Sequence, residues 1–153
     1  MAVRVRADGV RALDPPRLAE LWGGLLAWPV VELPTGDVDV VPSDSTPFRL
    51  RFSRTDEPKR EKNSRHPDLT SASPADQDDL VARALAAGAR RVDVGQGPDA
   101  SHVVLADPEG DELCVLEPGN EFLAGCGRLG AIARDGGRRV GLFWRVALGW
   151  PSV

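Results

Sequence analysis

The chain carries a long internal repeat. Residues 17–31, RLAELWGGLLAWPVV, align without gaps on residues 139–153, RVGLFWRVALGWPSV. Identities fall at Arg17/Arg139, Trp22/Trp144, Leu26/Leu148, Trp28/Trp150, Pro29/Pro151 and Val31/Val153, and all four tryptophans lie inside the repeat. The offset of 122 residues is close to two units of about 60. Self-similarity at a fixed spacing is the mark of a chain assembled from one supersecondary unit used more than once.

The unit can be read from periodicity. Residues Val3 to Val10, VRVRADGV, alternate as a strand does. Asp14 precedes Pro15 and Pro16, a capping residue followed by prolines at a helix start. Leu18, Leu21, Trp22, Leu25 and Leu26 then recur at helical spacing, and Pro29 ends the helix. Short strands are expected at Val30–Leu33 and Val38–Val41, with Pro34-Thr35-Gly36 as the turn. Phe48, Leu50 and Phe52 alternate with Arg49 and Arg51 as a half-buried strand. The order is β-α-β-β-β.

A charged linker, TDEPKREKNS at 55–64, separates this unit from a second one. Arg65 to Thr70 reads as extended. Ser73-Pro74 starts a helix with Leu80, Val81, Ala84 and Leu85 on its apolar face and Gly88 at its C-terminal end. Strands follow at Arg91–Val94, His102–Ala106 and Glu112–Glu117, with Asp107-Pro108-Glu109-Gly110 as a turn between the last two. Residues 121–153 are then expected to begin a third module with a strand and a helix. That helix would carry an apolar stripe of Phe143, Trp144 and Leu148, which calls for a partner surface in the same chain or another.

These segments carry a family resemblance: the helix RLAELWGGLLAW, the linker and strand EPKREKNSRHPDL, the hairpin HVVLADPEGDELCVLEPGNEF and the tail segment AIARDGGRRVGLFWRVALGWP. They resemble the vicinal oxygen chelate superfamily of glyoxalase and bleomycin-resistance proteins, in the glyoxalase-like branch common in actinobacteria. The resemblance implies an α+β fold of paired βαβββ modules forming a cup-shaped half-barrel sheet with flanking helices. Residues 1–120 would form the glyoxalase-like domain, with module one at 1–55 and module two at 62–118.

It also implies where a metal would sit, because metal-using members place His or Glu on the first and last strands of each module. In module one, VRVRADGV offers only Asp8 and FRLRFS offers no such donor. In module two, His66 stands at the family's histidine position. The family's glutamate, four residues after the glycine of D-P-x-G, is replaced by Cys114. A metal site needs three or four donors of suitable type. No cofactor is therefore expected. A divalent metal, if one binds, would be held by His66 and Glu112, with Asp68 and Cys114 completing a zinc site of unusual composition.

His66, Asp68 and Glu112 are the candidate catalytic residues, a histidine that titrates near neutrality with carboxylates to assist it. Their bland alternative is a half-exposed histidine and solvated strand-end charges. On family grounds Phe48, Leu50, Phe52 and Leu116 line the cup, joined as ligand contacts by His66, His102 and Cys114. The favoured reading of Cys114 is a small buried filler, and that of Trp22 and Trp28 core or interface residues rather than a platform for a flat ligand. Pro67 replaces the family's usual leucine and, lacking an N–H, is expected only at a sheet edge. The glycine-rich stretches VGQGPD and GCGRLG lack the strand–glycine–helix order of a phosphate loop.

Charge and composition remove other classes. The 153 residues carry a net charge of −4, so the chain has no general attraction for nucleic acid or for an anionic membrane. There is no run of about 18 apolar residues and no apolar leader near Met1. Two cysteines make no disulfide framework. A cytoplasmic homodimer with a small-molecule ligand is the expectation. Three functions fit: metal-independent binding of an apolar or aromatic molecule, as in resistance or sequestration; lyase, isomerase or hydrolase chemistry through His66 and a carboxylate; or a dimeric assembly subunit.

Overall fold

A computed structural model describes residues 6–134, apart from positions 62 and 64. Both helices begin where the capping residues predict. The Asp14 side chain accepts from the Arg17 N–H ahead of α1, Pro15–Leu26, and Ser73 accepts from the Asp76 N–H ahead of α2, Pro74–Ala86. Each has proline in its first turn, where the missing N–H costs nothing. Helix α1 stops because Ala27 turns left-handed, with φ 56°, and the Trp28 N–H closes onto the Gly23 carbonyl. Gly23 is required there: a Cβ would stand 2.7 Å from Val30 Cγ2 and 3.0 Å from the Trp28 carbonyl oxygen.

Module one adds β1 (Ala7–Ala12), β2 (Val30–Glu32), β3 (Val38–Val40) and β4 (Arg49–Arg54), in the sheet order β1-β4-β3-β2. Module two adds β5 (Arg65–Leu69), β6 (Arg90–Arg91), β7 (Val103–Ala106) and β8 (Glu112–Val115). A further strand, β9 (Leu129–Arg134), pairs antiparallel with β5, so the second sheet runs β6-β7-β8-β5-β9. In each module the first strand lies parallel to the last, β1 with β4 and β5 with β8, and the remaining pairs are antiparallel. The fold is α+β with two open sheets. Among the described residues no helix is long and apolar enough to cross a membrane.

Three local expectations change. The first strand runs on to Ala12, because parallel pairing with β4 continues to Ala12↔Arg54; residues 1–5 lie outside the described part. The strand expected at Arg91–Val94 shrinks to Arg90–Arg91, since the Asp93 and Gln96 side chains accept from the Gly95 and Val94 N–H groups and turn the chain. Pro67 sits on an interior strand rather than an edge. Its missing N–H is tolerated because pairing with β8 begins only at Asp68, and on the other side it faces Ile132. The expected third helix, with Phe143, Trp144 and Leu148, lies outside the described residues.

The core forms where the helices cover one face of each sheet. Leu18, Trp22, Leu25 and Trp28 meet Val38, Val40, Leu50 and Phe52, and Leu80, Val81 and Ala84 join Leu69, Leu105, Leu113 and Val115. The modules are tied together by polar contacts. The Glu109 carboxylate accepts from the backbone N–H groups of Leu13 and Asp14, at 2.7 and 2.8 Å. Arg65 donates to the Asp8 carboxylate and the Gly9 carbonyl, and Lys59 to the Gly110 carbonyl.

Candidate functional site

Strand alternation sorts the residues of β5 onto two faces. Arg65 and Pro67 face the same way as the buried Leu69, toward the helices, and His66 and Asp68 face the other way. Each face carries a distinct feature.

On the helix side, where the two modules meet, lies a cavity of about 330 Å³. Its apolar wall is Val10, Trp22, Leu50, Phe52, Pro67 and Ile132, and Thr55, Glu57, Pro58, Lys59 and Asn63 also border it. A buried carboxylate, Asp107, closes one side; the residue is 2 % exposed. Its Oδ1 accepts from the N–H groups of Glu109 and Asp111, both at 2.9 Å, which builds the D-P-x-G turn. Its Oδ2 is buried without a hydrogen-bond partner among the described residues. Burial, then the charge of Asp111, pushes the carboxyl up to about 6; the nearby Trp22 indole eases this without reaching hydrogen-bond geometry.

On the opposite face, His66, Asp68 and Cys114 come together, each offering a ligand atom within 4.8 Å of the others. The parallel register Asp68↔Cys114 brings the thiol across from the carboxylate, and His66 Nε2 stands 3.4 Å from Asp68 Oδ1. Burial raises the Asp68 carboxyl above its ordinary range against the opposing charge of His66. Burial and the neighbouring Asp68 charge push the Cys114 thiol up to about 12. The cluster fits the chemistry of a three-donor zinc centre, for which imidazole, carboxylate and thiolate are ordinary ligands. Without an ion it is a carboxylate–imidazole pair beside an inert thiol.

The other sequence candidates are dispersed. Glu112 begins β8 and borders the cavity; its charge adds to the rise at Cys114, but it is not one of the three gathered donors. Leu50 and Phe52 line the cavity under α1, and Phe48 packs against the same core. Leu116 follows β8 and borders a separate hollow with Thr70, Leu123 and Arg128. His102 precedes β7 and acts on Asp68 and Glu117 only through its charge. On module one, the face of β3 and β4 away from α1 is closed by an ion-pair network. Asp39, fully buried, takes two bonds from Arg51 at 2.7 and 2.9 Å and one from Arg49 at 3.2 Å. Sequence reasoning gave Asp107 only a turn role; its burial, with Trp22 of α1 close by, is a long-range effect that no local motif encodes.

The model of a glyoxalase-like domain matches residues 6–116. The chain belongs to that family. Glyoxalase-like folds among solved structures agree with it. The chain resembles a glyoxalase/bleomycin resistance protein/dioxygenase family enzyme from Burkholderia phytofirmans PsJN, at 16 % identity and a TM-score of 0.54, over 74 % of this chain and 97 % of that one. It resembles a mutant of the fosfomycin resistance protein FosX from Listeria monocytogenes, complexed with Mn(II) and a dihydroxypropylphosphonic acid, at 9 % identity and 0.60, over 79 % and 94 %. It also resembles the oxidase ChaP-H2, at 18 % and 0.55, over 78 % and 98 %. At such identities these glyoxalase-like relatives share the fold, and their chemistry stays their own. No functionally curated protein matches the sequence.

Proposed function

We propose that this glyoxalase-like protein binds a small, largely apolar molecule without a metal, in a resistance or sequestration role. The observation that carries the reading is the cavity of about 330 Å³ with its wall of Val10, Trp22, Leu50, Phe52, Pro67 and Ile132. At that size it can enclose a small molecule, with the apolar wall bordered by charged side chains such as Asp8, Arg11, Arg65 and Glu112. The donor cluster lies on the other face of β5, so occupancy of the cavity requires no metal. A thermal-shift screen of small aromatic and aliphatic compounds tests this, run with and without a chelator. Ligands that raise the melting temperature equally in both series support the reading. Stabilisation that vanishes with chelator overturns it.

A second reading rests on the His66–Asp68 pair beside Cys114. In it the chain is a lyase, isomerase or hydrolase whose imidazole moves a proton, with Asp68 fixing its orientation. A zinc ion held by His66, Asp68 and Cys114 would supply Lewis acidity. Elemental analysis of protein purified without metal-affinity resin separates the readings: stoichiometric zinc favours the second. A homodimer remains part of the proposal. Val30 and Val31 are exposed on β2, an edge strand, and light scattering of the purified protein would report the mass.

A further inference from the structure

Three donors of different chemistry meet on the face of β5 away from the cavity. His66 and Asp68 are two apart on that strand, and the register Asp68↔Cys114 sets the thiol across from them on β8. Strand β5 is interior, paired with β8 on one side and β9 on the other, so its two donors stand on a fixed frame. The three ligand atoms lie within 4.8 Å of one another, and His66 Nε2 is 3.4 Å from Asp68 Oδ1. Bonds of about 2.0 Å to nitrogen or oxygen and about 2.3 Å to sulfur put two donors of one ion roughly 3–4 Å apart, so small side-chain rotations suffice.

This donor set does not suit a hard cation. Manganese and magnesium favour six ligands, mostly oxygen. Here three side chains gather, and one of them offers sulfur. Other strand acids are committed elsewhere: Asp39 to Arg51 and Arg49, Asp8 to Arg65, while Glu112 borders the cavity. The sulfur is shielded, with Cys114 at 9 % exposure, whereas the His66 side chain is 31 % exposed and leaves a way in from solvent. Imidazole, carboxylate and thiolate, with one position left for water, make the four-coordinate set that zinc and similar thiophilic ions accept.

We propose that this face takes a thiophilic divalent ion of the zinc type, with Cys114 as its sulfur ligand, in preference to manganese or magnesium. The inference rests on the second reading above, in which His66, Asp68 and Cys114 hold an ion, and it names the class of ion. A ligand in the cavity neither requires nor excludes it, because the two places lie on opposite faces of β5.

Cobalt(II) is the probe, since it adopts the zinc geometry and is coloured. The full chain, stripped with chelator and carrying Cys126→Ser to remove the exposed thiol, is titrated with cobalt chloride. A near-ultraviolet sulfur-to-cobalt charge-transfer band and intense visible bands of four-coordinate cobalt are expected, saturating at one ion per chain. Zinc should bleach them at one equivalent, and manganese or magnesium in about a hundredfold excess should not. Cys114→Ser should abolish the charge-transfer band. His66→Ala should keep that band and weaken cobalt binding at least tenfold, and circular dichroism verifies that both variants fold. If Cys114→Ser does not fold, the band of the parent protein and the weakening in His66→Ala still decide the case. Cobalt bound without the charge-transfer band, or with a band that survives Cys114→Ser, overturns the role given to Cys114. Displacement of cobalt by manganese, or uptake of manganese alone in equilibrium dialysis, overturns the selectivity and leaves the second reading standing. A chain that takes up none of these ions overturns both.

Discussion

Pro67 and Asp68 are neighbours on β5, yet Pro67 lines the cavity while Asp68 stands beside His66 on the opposite face. A strand sends successive side chains to opposite sides, so one dipeptide separates the two candidate sites. That separation makes the two functional readings independent of each other by mutation.

If ligands occupy the cavity, His66→Ala and Asp68→Asn should leave their affinity within about twofold, because neither side chain faces the wall. If the chain is instead an enzyme acting through the His66–Asp68 pair, His66→Ala should remove turnover, at a cost of roughly 10²–10⁴-fold for a lost acid–base group. Parallel binding and activity measurements on the same variant decide between them.

Cys114 should be a poor nucleophile. Burial and Asp68 hold its thiol near 12, far above the range in which thiolate forms at neutral pH, whereas Cys126 is exposed. Iodoacetamide at pH 8 should label one cysteine per chain, at Cys126, as read by peptide mass spectrometry. Fast labelling of Cys114 would reveal an activated thiolate and revive its candidacy as a reactive group.

Asp107 should make the protein less stable as pH rises. Its folded-state value of about 6 lies above the ordinary 3.8, so the folded state holds the proton more tightly than the unfolded chain does. Stability is therefore favoured below about pH 4 and declines as pH climbs toward 6. The total is on the order of 3 kcal/mol for a shift of about two units. Asp107→Asn has no such proton, so the difference between wild type and variant in urea unfolding should shrink or reverse across pH 4 to 6. A difference that stays constant would show that Asp107 keeps an ordinary value.

Asp39 behaves in the opposite sense. The Arg51 guanidinium, then Arg49, outweigh the effect of burial and hold its carboxyl below the ordinary range. Its contribution is present above about pH 4 and is lost as pH falls through the lowered value. Arg51→Met removes the two-bond partner and leaves a buried carboxylate with Arg49 alone. A loss of stability is expected at pH 7, smaller than for a fully buried pair because Arg51 is itself 37 % exposed. The loss should diminish at pH 3, measured by thermal unfolding at both values.

Local sequence determined a large part of this protein. Asp14 with Pro15 and Pro16, and Ser73 with Pro74, specify both helix starts, because a cap and a proline act within one turn. Alternation in FRLRF specifies a strand with one apolar face, and the module order follows from listing such signals along the chain. The segments that carry the family resemblance are of this kind. Period-two alternation also put His66, Asp68 and Glu112 on one face, with Cys114 two residues on; the structure gathers His66, Asp68 and Cys114 and leaves Glu112 at the cavity.

Tertiary structure alone decided what those faces meet. Alternation says that Leu50 and Phe52 share a side, and only the packing of α1 shows that this side borders the cavity rather than the face of the donor cluster. Asp107 looks like any turn aspartate until the fold buries it near Trp22, and Pro67 looks like an edge residue until β9 adds itself beside β5. The physical reason is range. Caps, turns and alternation are set by interactions within a few residues. Burial of a charge and the shape of a cavity depend on contacts between segments as far apart as Leu13 and Glu109, 96 positions along the chain.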